Sequence, residues 1–239
     1  MEENVYDKTA DIYDVRHNTP TSHRVRTIEN RFIRRYAKGR VLDIGCGTGY
    51  HLDSSLDITG LDISRQMISF SMRTGKPVLI GDGLALPFRS SSFDTVLCMF
   101  SVLNMTDHRA MISEISRVLK KNSFALVSVT SIYDKNYSYT EKKSVFPDPH
   151  TRFKGFCIDG NKSRMYLFTK EEITAAFREN GLELADFDSA FILQKPKWCS
   201  FEGFTPAEKA KLILERFLDK DLGCMYIMAF RKASQKQHP

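Results

Sequence analysis

A chain of 239 residues with 42% hydrophobic content can bury one sizeable core and falls in the range of a single α/β domain. No run approaches the roughly 18 apolar residues of a membrane helix, and the acidic start Met1-Glu2-Glu3-Asn4 is unlike a signal peptide, so the expectation is a cytoplasmic protein without membrane insertion. The formal net charge is +6, and neither the five scattered cysteines (Cys46, Cys98, Cys157, Cys199, Cys224) nor the six histidines show disulfide-framework or metal-ligand spacing, so no metal is expected.

In chain order, residues 16–40 come first as a basic segment, with Arg16, Arg24, Arg26, Arg31, Arg34, Arg35, Lys38 and Arg40 against Glu29 alone, or eight minus one for a local charge of +7. An exposed helix here could meet phosphates, but a solvated helix face is the favoured reading of its charge. From Arg40 onward short apolar runs alternate with helical stretches, the pattern of βαβ units around a parallel sheet. Strands are expected at Val41 to Ile44, Ile58 to Leu61, Pro77 to Ile80, Phe93 to Met99 and Phe124 to Val129. Ser64 can cap a helix carrying Met67, Ile68 and Phe70, and Asp107 one carrying Met111, Ile112, Ile115, Val118 and Leu119. Residues 132–168 are polar, aromatic-rich and broken by Pro147 and Pro149, so they read as an excursion from the core. Thr169-Lys170-Glu171-Glu172 is a capping box opening a helix that Gly181 stops, Leu182 to Leu193 suggests a sixth strand, Thr205-Pro206-Ala207-Glu208 opens another helix, and Cys224 to Phe230 a seventh strand.

The chemistry is carried by Asp43-Ile44-Gly45-Cys46-Gly47-Thr48-Gly49. Three glycines where a strand turns into a helix let the backbone take positive φ and approach a ligand closely. An acidic residue, Asp62, ends the next strand, where a carboxylate can accept both hydroxyls of a ribose. The spacing is G-x-G-x-G rather than the dinucleotide G-x-G-x-x-G, and Asp43 beside it favours a cationic ligand over a diphosphate.

These residues resemble the first motif of the class I S-adenosylmethionine-dependent methyltransferases, above all the group containing the ubiquinone and menaquinone biosynthesis enzymes. Leu61-Asp62-Ile63-Ser64 with Met67 is similar to that family's second motif, and Asp82-Gly83 with Leu86-Pro87-Phe88 and Ser92-Phe93-Asp94 to its signature before the fourth strand. Tyr6 to Asp14 resembles its cofactor-covering segment. The resemblance implies an α/β, Rossmann-like fold: a seven-stranded, mostly parallel sheet with the last strand antiparallel and helices on both faces. It implies one domain over 1–239, with a cofactor-covering cap at 1–39, a cofactor-binding half at 40–131, a substrate lid at 132–168 and the rest of the core at 169–239. It also implies S-adenosyl-L-methionine as cofactor, S-adenosyl-L-homocysteine as product, and a cofactor site of Tyr13, Asp43, Gly45, Gly47, Gly49, Asp62, Ile63, Met67, Asp82, Gly83, Leu84, Phe100 and Ser101. Asp43 would hold the methionine amine, Asp62 the ribose and Asp82 the adenine amine, between Met67 and Leu84.

No catalytic base stands out, because a sulfonium-borne methyl group needs mainly alignment and exclusion of water. In the excursion, Tyr133, Tyr137, Tyr139, Phe146, Phe153 and Phe156 alternate with Lys135, Lys142, Lys143, Arg152, Lys154, Lys162 and Arg164, a mixture suited to a lid or to stacking bases. Arg164 to Phe168 resembles a segment of the tRNA wobble-uridine carboxymethyl methyltransferases, which makes Arg164 and Tyr166 candidate substrate contacts. The expected function is therefore methyl transfer to a small molecule, with tRNA methylation as the alternative and a non-catalytic cofactor-binding subunit as a third.

Overall fold

The computed structural model describes residues 5–52, 55–134, 153–158, 161–194, 196–197 and 200–233. Tyr137, Tyr139, Phe146, Lys135, Lys142, Lys143 and Arg152 lie outside them, as do the side chains of Phe153, Lys154, Phe156 and Lys162.

The described residues form a seven-stranded sheet in the order β3-β2-β1-β4-β5-β9-β8. Its strands are β1 (Arg40–Ile44), β2 (Asp57–Asp62), β3 (Val78–Ile80), β4 (Phe93–Cys98), β5 (Leu119–Thr130), β8 (Leu182–Ala190) and β9 (Met225–Lys232). Neighbours from β3 to β5 are parallel, whereas β9 runs antiparallel to both β5 and β8. The reversed last strand is as expected, and it lies inside the sheet. The chain leaves β1 toward β2 on one side and returns to β4 on the other, which opens a crevice at the carboxyl ends of β1 and β4, where open α/β sheets bind ligands.

Alternation along the strands builds a core on each face. Leu42, Val96, Ala125 and Met228 meet α4 (His108–Val118) and α5 (Lys170–Glu179), while Val41, Leu97, Leu126 and Ile227 meet α2 (Pro20–Tyr36) and α6 (Pro206–Leu214). Phe177 of α5 stacks on Phe230 of β9 with centroids 3.9 Å apart. The helix starts follow the sequence signals. Ser64 caps α3 (Arg65–Ser71), Asp107 caps α4, and Thr169 and Thr205 form full capping boxes on α5 and α6. Thr169→Ala removes the acceptor of the Glu172 N–H at 3.1 Å and should cost about 1 kcal/mol, read as a lower urea midpoint at unchanged slope.

Four details differ from expectation. The glycine turn after β1 does not lead into a helix: the described residues 45–52 form successive turns before β2. β5 begins at Leu119 rather than Phe124, because Leu119 pairs with Phe93 across an irregularity in the ladder. β8 ends at Ala190, three residues early, where Phe191 turns to a left-handed φ of 63°. The excursion contains a hairpin, β6 (Phe153–Ile158) with β7 (Asn161–Tyr166), in antiparallel register. Its end is tied to the core by Asn104, whose amide donates to the Thr130 and Tyr166 carbonyls at 2.9 and 2.5 Å.

Three arginines of the basic segment pair with acids far along the chain, although Arg31, Arg34 and Arg35 remain exposed. Arg24 of α2 pairs with the buried Glu215 at 3.2 Å, Arg35 with Asp186 at 3.1 Å, and Arg31 with Asp188. These pairs stitch α2 to β8 and to the turn after α6. Among the described residues no helix is long and apolar enough to cross a membrane.

Candidate functional site

The crevice is shaped first by the glycine turn after β1. Gly45, Gly47 and Gly49 take φ of +71°, +55° and +97°, the region that costs other L-residues most. They need glycine for different reasons. A Cβ on Gly45 would sit 2.5 Å from Val102 Cγ2 and one on Gly49 2.9 Å from Thr74 Cγ2, whereas one on Gly47 would meet nothing within 4 Å. Packing dictates the outer two; Gly47 borders open space.

Asp62 pins this turn. Its Oδ2 accepts the Gly47 N–H and its Oδ1 the Ser64 N–H, both at 2.9 Å, while burial pushes its carboxyl up and those two N–H groups pull it back. Each carboxylate oxygen keeps lone-pair capacity for a further donor.

α1 (Val5–Arg16) closes over the turn. Asp7 accepts from the Ser64 hydroxyl at 2.6 Å and from the Gln66 N–H at 3.2 Å, and the Thr48 hydroxyl donates to Asp14 at 2.6 Å. This brings Tyr13 over the glycines, and burial pushes its phenol well above the usual range, with Tyr6 beside it pushed up to about 12.

Beneath Tyr13 lies a cavity of ≈ 40 Å³ lined by Arg26, Glu29, Asp43, Gly45, Cys46, Gly47, Thr48, Tyr50, His51, Met99 and Phe100. Its floor is polar and shielded from bulk solvent: Asp43 is 2% exposed and Glu29 0%. Glu29 Oε1 accepts from the Ser128 hydroxyl and from the Phe100 N–H at 3.3 Å, and Glu29 Oε2 lies 3.6 Å from His51 Nε2. Asp43 Oδ2, Glu29 Oε2 and His51 Nδ1 have no hydrogen-bond partner in the protein. Unmet buried polar atoms cost roughly 1–3 kcal/mol each, so Asp43 Oδ2 and His51 Nδ1, with Glu29 Oε2 met only by His51 at 3.6 Å, mark a place shaped for a polar, charged guest. Burial pushes the Asp43 carboxyl up to about 7, reinforced by Asp62 and Glu29 and opposed by His51. Burial alone would lower the His51 imidazole, but Glu29 and Asp43 outweigh it and hold it above its ordinary value.

Past β4, Phe100 and Ser101 are both left-handed, at φ 56° and 70°, a strain of order 1–3 kcal/mol per residue. Ser128 Oγ accepts the Phe100 N–H at 2.6 Å and Ser101 Oγ meets Thr130 Oγ1 at 2.7 Å, which fixes this turn. The Arg26 guanidinium lies 3.9 Å from the Tyr50 ring centroid and 5.6 Å from that of Phe100.

Of the residues singled out in sequence, Tyr13, Asp43, Gly45, Gly47 and Phe100 line the cavity, and Asp62 joins it through Gly47. Met67 is buried on α3, Ile63 is exposed beside it, and Asp82 is exposed after β3 with its Oδ1 accepting the Leu84 N–H at 2.9 Å. Gly83 is packed so that a Cβ would meet Met111 Cε at 2.5 Å, and Leu84 packs partly on the core. Arg164 and Tyr166 are on β7 and do not line the cavity; the Tyr166 ring packs on His108 and Phe168 at 5.0 and 4.9 Å. Sequence reasoning missed Glu29, Arg26, Tyr50 and His51. The one available signal was Glu29 as the sole acid in a basic stretch. Among the described residues no three His, Cys, Asp or Glu side chains are placed to hold a metal ion.

A family pattern described as a methyltransferase domain matches residues 42–127. An uncharacterized protein of Methanocaldococcus jannaschii is 34% identical over 194 residues, covering 75% of each chain, and the demethylmenaquinone methyltransferase of Thermotoga maritima is 27% identical over 203 residues, covering 76% of this chain and 87% of that one. Among solved structures, the methyltransferase in complex with the Haloferax volcanii Trm112 methyltransferase activator superposes with a TM-score of 0.61 over 98% of this chain and 100% of that one, at 21% identity, a likeness of fold. The chain is accordingly a member of the class I S-adenosylmethionine-dependent methyltransferases.

Proposed function

We propose that this enzyme transfers the methyl group of S-adenosyl-L-methionine to a small-molecule acceptor by in-line displacement, with the amino-acid end of the cofactor in the polar cavity under Tyr13. The observation that carries this reading is the set of unmet buried atoms there. Asp43 Oδ2 and Glu29 Oε2 suit an ammonium group, while His51 and Arg26 suit a carboxylate, so one cavity offers both halves of an amino-acid zwitterion. Gly47, with open space where a Cβ would stand, allows the close approach such a ligand needs. Asp62 would take the ribose hydroxyls, and Asp82, Ile63, Met67 and Leu84 the adenine.

When bound, the cofactor supplies a methyl group already activated on a sulfonium. The protein's part is then positional. α1 seals the cavity through Asp7 and Asp14, Tyr13 excludes water, and the strained turn at Phe100 and Ser101 holds the acceptor side rigid. A small acceptor is favoured over RNA because Arg24, Arg31 and Arg35 are each matched by a carboxylate, of Glu215, Asp188 and Asp186, which lowers the net positive charge along α2 although its outer face stays exposed.

Calorimetry with S-adenosylhomocysteine tests the reading, and the pH dependence sharpens it. Asp43, near 7 in the free protein, must be ionised to receive the ammonium; Glu29, His51, Asp62 and Arg26 are the other charged groups around the cavity. Below pH 7 a proton competes with the ligand, so affinity should fall toward tenfold per unit as pH drops from 7 to 6 and level off above 8. No heat at any pH overturns the reading, and an affinity flat from pH 6 to 8 removes Asp43 as the partner of the ammonium group.

A further inference from the structure

A surface helix ordinarily turns its apolar side inward, but α6 turns most of its own outward. Leu212 and Glu215 face the core at 8% and 1% exposure, whereas Ile213, Leu214 and Phe217 stand 55%, 55% and 82% exposed, with Leu218 beside them at 38%. Helical spacing explains the split. Positions 213, 214 and 217 fall at i, i+1 and i+4, on the side away from 212 and 215, and the 3₁₀ turn Glu215–Phe217 carries the stripe past the end of α6. The helix is held so that it cannot roll over to hide it. Arg24 of α2 donates to the Leu212 carbonyl at 3.4 Å and to Glu215 at 3.2 Å, and Glu215 also accepts the Leu193 and Gln194 N–H groups at 3.1 and 3.2 Å.

The rim of the stripe is basic. By the same spacing Lys209 and Arg216 flank it on one side and Lys211 on the other; all three are exposed, and among the described residues none is in an ion pair. The acids of this stretch are engaged elsewhere: Glu208 pairs with Lys197 at 3.0 Å, Glu215 is buried, and Asp219 caps the next turn through the Asp221 N–H at 3.0 Å. The geometry points to an anionic membrane surface as the occupant of this stripe, with Ile213 and Phe217 in the headgroup and acyl boundary and the three cations among lipid phosphates. α6 has nine residues, far short of a span, so it rests on one leaflet. A second copy of the chain fits less well, because stacking the stripe on itself brings two sets of unpaired cations together. A protein partner also fits less well: the four apolar side chains offer no hydrogen-bonding group, and Phe217 projects as a knob rather than lining a groove.

Co-sedimentation of the full chain with lipid vesicles tests the proposal, and no readout involves the cofactor, so its outcome is independent of the methyl-transfer reading. At low salt the protein should bind phosphatidylcholine vesicles carrying about a quarter phosphatidylglycerol at least about tenfold more tightly than vesicles of phosphatidylcholine alone, and salt near 0.5 M should erase most of that difference. The double variant Ile213→Ser, Phe217→Ser should weaken binding about tenfold or more, and Lys209→Glu with Arg216→Glu on the order of 10²-fold. All four side chains are exposed, so Tm should stay within a few degrees of wild type. Equal binding to the two vesicles, or a serine double variant that binds like wild type, overturns the proposal. Absence of binding to either vesicle at low salt overturns it in favour of a protein partner, and a dimer in sedimentation velocity that the serine variant makes monomeric overturns it in favour of a second copy.

Discussion

Replacing Asp62 by alanine should weaken S-adenosylhomocysteine binding by roughly 10²–10⁴-fold, the largest loss expected from any single side chain here. The carboxylate has two tasks. It accepts the Gly47 and Ser64 N–H groups at 2.9 Å, which holds the glycine turn against the start of α3, and by the proposed function it also receives the ribose. Charge-assisted hydrogen bonds of this kind contribute about 1.5–3 kcal/mol each, and alanine removes the turn's anchor together with the ligand's. Asp62→Asn keeps one acceptor oxygen but turns an NH₂ toward an N–H, so its loss should fall between wild type and alanine. Calorimetry gives the answer directly: an Asp62→Ala protein that is folded and binds within threefold of wild type contradicts the assignment.

Gly47→Ala should separate stability from binding. The added methyl meets no protein atom within 4 Å, so the fold bears only the left-handed strain at φ +55°, about 1–2 kcal/mol, and Tm should drop by a few degrees. If the open space over Gly47 is where the cofactor lies, the same methyl should cut affinity by at least about 10²-fold. Gly45→Ala makes the control, because its Cβ would stand 2.5 Å from Val102 Cγ2 and should damage stability itself. Equal affinity for the Gly47→Ala and wild-type proteins removes the cofactor from that space.

Much of the architecture was legible because its signals are local. The caps at Ser64, Asp107, Thr169 and Thr205 act within three residues of themselves, and the apolar stripe of α4 repeats within one helix. The start of β5 was hidden by Lys120-Lys121-Asn122, whose polarity imitates a loop although Leu119 already pairs with Phe93. The glycine turn and the acid after β2 are also close in sequence, which is why that half of the site could be read. The cavity floor could not be. Glu29 finds Ser128 99 positions away and the Phe100 N–H 71 away, and nothing in the stretch around Glu29 says that a lone acid in a basic helix turns inward. The pairing of the α2 arginines was hidden for the same reason. Their partners lie 151 to 191 positions along the chain, so the sequence gives no sign that Arg24, Arg31 and Arg35 are each matched by a carboxylate in the fold.

The position of β9 sets an order for biosynthesis. β1 to β4 and the turn they carry can assemble as soon as they leave the ribosome, each strand parallel to one made shortly before it. β8 has no such neighbour: among the described residues it pairs with β9 alone, the strand that separates it from β5. Until residues 225–232 emerge, the nascent chain presents two bare strand edges, and Asp186 and Asp188, which anchor α2, belong to one of them. The helix bearing Glu29 and Arg26 is thus clamped at its far end through β9, the strand that joins β8 to the rest of the sheet, so the cavity floor depends on the antiparallel strands as well as on the parallel ones that carry the glycine turn.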